Sequence, residues 1–205
     1  MQKKGKDGII CIETDWQLTK RPQRRNMYTE PLVRFLSESL SVPYIYRTVA
    51  TKAELSYYLS RIQITEFHYS VVYMSFHGDK NQICLEGETG DAYNLPLEEL
   101  AAMADGAFKD RYVHFSSCET MKSPRKQIES FLEETGIKML SGYTKKVPMV
   151  DSAILDAAVI TQCLSKQNPK VIQKNIEKLF GCGGTSTTRG LKNQLGLKFF
   201  PDYLS

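Results

Sequence analysis

No two cysteines of this chain form a C-x-x-C pair. The five, Cys11, Cys84, Cys118, Cys163 and Cys182, are scattered singly and odd in number. That pattern supports neither a zinc module nor a disulfide framework, so no metal and no cofactor is expected. No apolar run approaches the length that crosses a bilayer. Behind the basic N-terminus the only apolar stretch is GIICIE, stopped by Glu13, which is too short for the core of a secretory signal. The chain is therefore expected in the cytoplasm, away from membranes. There is no internal repeat, no low-complexity tract and no composition break, so residues 1–205 read as one domain. Net charge is a mild +4, with basic clusters at 3–6 and 20–25. No aromatics interleave with those clusters, and nucleic acid is not the expected partner.

What the sequence does hold is alternation. GIICIET (8–14), PYIYRTV (43–49), SVVYMSF (70–76), RYVHFSS (111–117) and IKMLSGY (137–143) are short apolar runs that read as strands. Between them lie helical patterns over 29–40, with Leu32, Phe35, Leu36 and Leu40 near helical spacing, and over 51–62, opened by a Thr51/Glu54 capping box. Further helices are expected over 96–104, over 123–136 with Ser123 as cap and Gly136 as stop, and over 151–167 and 168–181. In 151–167 the inward stripe reads as Ile154, Leu155, Ala158, Val159 and Cys163. A small hairpin is expected over 82–95 and an edge strand over 195–201. Strands this apolar, separated by helices, predict an α/β three-layer sandwich: a mostly parallel sheet of about six strands with helices on both faces.

Open sheets of this kind gather reactive residues at the carboxyl ends of their strands. Two such ends carry chemistry. The strand 70–76 runs into His77 and Gly78, and the strand 111–117 runs into Cys118 within SSCET. One helical crossover joins the two strands, which predicts that they are neighbours. Rim side chains on adjacent strands reach hydrogen-bonding range. A thiol with an imidazole beside it has the parts for nucleophilic catalysis: the thiolate attacks, and the imidazole takes and returns the proton. Lys122 and Arg125, near the start of the next helix, are expected to favour the thiolate, with Glu119 opposing. The amides of Gly78 and Cys118 are the expected oxyanion donors. His114 lies inside a strand and His68 in the loop before one, so both read as non-catalytic. Cys11, Cys84 and Cys163 read as core.

These residues carry a resemblance. An apolar strand ending in His-Gly, then another ending in small-small-Cys, resembles the caspase-like cysteine peptidases of clan CD. SSCET is most similar to the CHAT branch, as is MLSGYTKKVPMVDSAILDAAV (139–159). The resemblance implies a caspase-like sandwich and a cysteine endopeptidase acting on a protein or peptide substrate, regulated by an activating partner or ligand. It also implies that Asp15 and Trp16, after the first strand, and Asp151, from the later loop, help bind the substrate. An acid there suits a basic side chain, whereas Arg21, Arg24 and Arg25 suit an acidic one. Asp151 also reads as the N-cap of its helix.

Other thiol chemistries fit less well. A phosphatase loop needs Cys-x5-Arg, but Arg125 stands one position too late. An amidotransferase elbow needs glycines that SSCET lacks. The Gly-rich segment 181–190 lacks Gly-Lys-Ser/Thr and follows a helix, so it reads as a surface loop. A rival reading keeps the fold but not the chemistry: a catalytically silent module that binds a protein partner.

Overall fold

A computed structural model describes residues 7–16, 28–62, 68–165, 168–181 and 190–204. The basic clusters at 3–6 and 20–25, Cys182 and the segment 182–189 lie outside the described residues. The chain runs β1 (Gly8–Thr14), α1 (Glu30–Leu40), β2 (Tyr44–Val49), α2 (Lys52–Ile62), β3 (Tyr69–Ser75), β4 (His77–Asp79), β5 (Gln82–Cys84) and β6 (Asn94–Pro96). It continues through α3 (Leu97–Ala104), β7 (Tyr112–Ser116), α4 (Arg125–Thr135), β8 (Met139–Tyr143), α5 (Met149–Leu164), α6 (Pro169–Phe180), α7 (Leu191–Leu195) and β9 (Leu197–Phe200).

Six strands form one sheet in the order β2-β1-β3-β7-β8-β9, parallel throughout except for the antiparallel edge strand β9. Period-two alternation splits their side chains between two cores. Ile10, Ile12, Val72, Met74, Val113, Phe115 and Leu140 face α2, α3 and α4. Ile9, Cys11, Val71, Tyr73, Tyr112, Met139 and Tyr143 face α1, α5, α6 and α7. The fold is thus a three-layer α/β sandwich, and β3 and β7 are neighbours in register. Among the described residues no helix is long and apolar enough to cross a membrane.

Several local expectations change. The apolar residues of β3 end at Ser75, and His77 opens a second, antiparallel sheet, β4-β5-β6, in place of the simple hairpin. Ser123 does not cap α4. Pro124 holds that place, and the Ser123 hydroxyl donates to Asn81. Likewise α5 starts at Met149 behind Pro148, so Asp151 sits inside its first turn rather than capping it. The buried stripe is Ser152, Leu155, Asp156, Val159, Ile160 and Cys163, one position round the helix from the expected one. Ile154 is left 49% exposed, and Phe35 on α1 is 63% exposed because Val33 and Leu36 take the inward face. The Thr51/Glu54 box forms, with each residue's backbone amide bonded to the other's side chain.

Candidate active site

The positions that alternate toward α5 along β3 and β7 continue, two residues at a time, into His77 and Cys118. Both side chains line one cavity of about 380 Å³. Tyr73, Ser75, Ser116 and Ser117 line it from the sheet, Trp16, Tyr28, Thr29, Pro31 and Leu32 from the β1–α1 side, and Val147 and Pro148 with Met149, Ser152, Ala153 and Asp156 from α5 and the loop before it. Its walls are mainly apolar, and its polar groups converge at the sheet.

SSCET is a turn held by its own hydroxyls. Ser117 Oγ and Thr120 Oγ1 lie 2.6 Å apart, and Thr120 Oγ1 donates to the Gln82 carbonyl at 3.1 Å, tying the turn to β5. Glu119 between them is left-handed at φ 55°, a conformation that strains a residue with a side chain. Its amide donates to Lys145 O at 3.1 Å. Gly78 packs against this turn: a Cβ there would lie 2.5 Å from Cys118 O and 2.4 Å from Thr120 Oγ1. Only glycine permits that approach.

The half-buried Cys118 sulfur accepts the Val147 amide at 3.4 Å. The cations expected to act on it are engaged elsewhere: Lys122 pairs with Glu119 and Arg125 with Glu129, each at 2.7 Å. The hydrogen-bond donor at the sulfur is therefore a backbone N–H, not either of these side-chain cations. The imidazole of His77 stands edge-on to Trp16, with ring centroids 4.7 Å apart at 89°, and its Nε2 is 3.5 Å from Glu86 Oε1.

Of the other expected site residues, Trp16 lines the cavity, while Asp15, Gly78 and Asp151 are not among its lining residues. Gly78 lies behind the wall, against the nucleophile turn. Asp15 donates its amide to Val49 O at 2.9 Å. Two acids that the sequence reading passed over stand at the site, Glu86 beside His77 and Asp156 on the cavity side of α5.

Asp156 is 1% exposed and accepts from four groups. His114 Nε2 and Tyr143 Oη reach Oδ1 at 2.6 Å each, and Tyr73 Oη and Ser116 Oγ reach Oδ2 at 2.7 Å each. Tyr73, His114 and Ser141 stand in register on three adjacent strands, and His114 Nδ1 meets Ser141 Oγ at 2.8 Å. The Ser141-His114-Asp156 chain copies the connectivity of a hydrolytic triad, but Ser141 is 1% exposed and no substrate reaches it. His114 is a satisfied core histidine, as its place inside a strand predicts. The signal for Asp156 was an acid one turn after Ser152 on an otherwise apolar stripe.

A second buried acid fixes the opposite wall. Glu13 accepts hydrogen bonds from the Thr29 amide, the Thr29 hydroxyl and the Tyr46 hydroxyl, holding Thr29 and hence Tyr28 at the cavity. Burial raises its carboxyl above the ordinary range, against the pull of those hydrogen bonds. A raised folded-state pKa contributes stability that is present below the ordinary carboxylate range and is lost as pH rises through the raised value. Stability should therefore decline as pH rises through that raised value, and Glu13→Gln should flatten the decline. Denaturant midpoints across a pH series check this; a wild-type profile with no such decline contradicts it.

Among the described residues no cluster of three or more His, Cys, Asp or Glu is placed to hold a metal ion. Residues 6–184 match a family described as a family of unknown function (DUF6642), and the chain belongs to that family. No curated protein matches the chain.

Proposed function

We propose that this chain is a cysteine endopeptidase of the caspase-like, CHAT type. The observation that supports it best is the meeting of Cys118 and His77 in one cavity, brought there by adjacent parallel strands. In this reading the Cys118 thiol gives its proton to His77, and the sulfur attacks a peptide carbonyl carbon. The Cys118 amide meets the oxyanion, while Gly78 lets the turn close beneath it. Collapse expels the amine, which takes the proton from His77. Water, deprotonated by the same imidazole, then hydrolyses the thioester and restores the thiol. Trp16 and the α5 wall hold the substrate. A reducing cytoplasm suits the thiols, and a protein partner or ligand regulates the site.

Thiol reactivity tests the reading without a known substrate. Burial drives Cys11 and Cys163 far above the usual thiol range and Cys84 up to about 11. In the native protein at mildly acidic pH, Cys118 should therefore be alkylated well ahead of these three, and His77→Ala should slow it. A peptide-library screen should then show cleavage that is lost in Cys118→Ala and in His77→Ala. If Cys118 reacts no faster than the buried thiols, or ignores His77, the reading fails. The exposed apolar residues Phe35, Val150 and Ile154 on α1 and α5 favour a second reading, a silent partner-binding module. Such a module would keep its partner in both variants while cleaving nothing.

A further inference from the structure

The mechanism above leaves Glu86 without a role, yet few side chains in the molecule are more firmly placed. Four consecutive amides around it are engaged. Leu85 donates to Tyr93 O at 2.9 Å, Glu86 to Thr14 Oγ1 at 3.1 Å, Gly87 to Ala50 O at 2.9 Å and Glu88 to Leu85 O at 3.1 Å. Thr14, the last residue of β1, is fully buried, so the central sheet itself fixes the height of Glu86. Gly87 packs so closely on Ala50 that a Cβ there would meet its carbonyl oxygen at 2.7 Å. The carboxylate is then aimed from beyond its own backbone: Tyr93 Oη donates to Oε1 at 3.1 Å, and the same oxygen faces His77 Nε2. The side chain is 9% exposed, and among the described residues no lysine or arginine pairs with it.

We propose that Glu86 is the positioning residue for His77, the third member of a Cys118-His77-Glu86 arrangement; this rests on the reading of Cys118 and His77 as a dyad. With Nε2 turned to Glu86, Nδ1 is the nitrogen that receives the thiol proton. The carboxylate sets the ring's tautomer and stabilises the imidazolium once the proton has moved. Trp16 fixes the ring from the side, so the imidazole is held both at a nitrogen and at its edge.

The other titratable groups near the ring do not compete for this role. Cys84, its register partner on β5, and Tyr93 are both pushed up by burial and stay neutral through the physiological range. Asp156, the other acid at the cavity, is committed to His114, Tyr73, Ser116 and Tyr143. Cys118 is the proton donor itself.

The test compares wild type, Glu86→Gln and His77→Ala. Glutamine keeps an oxygen for the Tyr93 hydroxyl and leaves the backbone anchors in place, so it removes the charge rather than the loop. Two readouts are taken: the pH profile of Cys118 alkylation by iodoacetamide, and the imidazole titration of His77 followed by NMR, which three histidines in the chain make resolvable. Loss of a neighbouring carboxylate should lower the imidazole pKa by about one unit, a shift of about tenfold in its protonation equilibrium. Alkylation at mildly acidic pH should slow by about the same factor and converge with wild type at high pH. Glu86→Asp should recover part of the shift. A merely structural Glu86 would move neither curve along the pH axis. If Glu86→Gln superimposes on wild type while His77→Ala does not, Glu86 has no positioning role and the dyad stands. If His77→Ala also superimposes, the dyad reading falls and takes this inference with it.

Discussion

Asp156→Ala is expected to cost the fold about 3–5 kcal/mol, the range for breaking a buried ionic or hydrogen-bonded pair by removing one partner. The variant leaves the hydroxyls of Tyr73, Ser116 and Tyr143 and one ring nitrogen of His114 without their shared acceptor. Tyr73, Tyr143 and His114 are each at most 2% exposed, so their orphaned groups stay desolvated unless water advances into the network from the adjoining cavity. Urea denaturation of wild type and variant measures the loss; a change below about 1 kcal/mol would mean that the network contributes no more than an average surface contact. The effects should also be non-additive. His114→Ala in the Asp156→Ala background should cost less than His114→Ala alone, because its principal partner has already gone.

The second large effect is expected at Gly78. A methyl group at this position would meet Cys118 O at 2.5 Å and Ser117 Cβ at 2.9 Å. Both belong to the turn that carries Cys118, so the alanine variant can relax only by moving the turn or β4, and either displaces Cys118 relative to His77. Overpacking of this kind costs about 1–3 kcal/mol, which the fold should survive. The chemistry should suffer more, because a misplacement of about 1 Å costs on the order of a hundredfold in rate. Cys118 alkylation, and on the proposed reading peptide cleavage, should therefore fall steeply in Gly78→Ala while the thermal transition moves only modestly. Unchanged Cys118 reactivity in a folded Gly78→Ala would show that the turn and β4 are not coupled as the packing requires.

These two residues also mark the limits of sequence reading. Gly78 was legible as a glycine following a strand-end histidine, but the close approach of the 117–120 turn that requires a glycine there was not. The order of strands and helices was legible because each element declares itself within a few residues, through apolar runs, caps and prolines. The neighbouring placement of β3 and β7 followed from the single crossover between them. Asp156 was legible only as an acid on an apolar stripe; its partners come from β3, β7 and β8, and nothing in the local sequence of α5 names them. The same holds for Glu86, whose meaning depends on a small antiparallel sheet turning back toward β1. Asp151 does not cap α5 for a local reason: Pro148 holds the cap position, so the acid falls inside the first turn.

The stretch from Thr144 to Val147 is bonded on both sides. Toward the nucleophile, the Lys145 carbonyl receives the Glu119 amide and the Val147 amide reaches the Cys118 sulfur. Toward the other side, Lys145 Nζ donates to the carbonyls of Asn193 and Gln194, and both the amide and the hydroxyl of Thr144 donate to Gly196 O. This strip is a short tie between the Cys118 turn and the corner where α7 meets β9, and Gly196 is packed into it, its missing Cβ 2.4 Å from Thr144 Oγ1. A side chain added at Gly196 should therefore register in the alkylation rate of Cys118, a residue it does not touch.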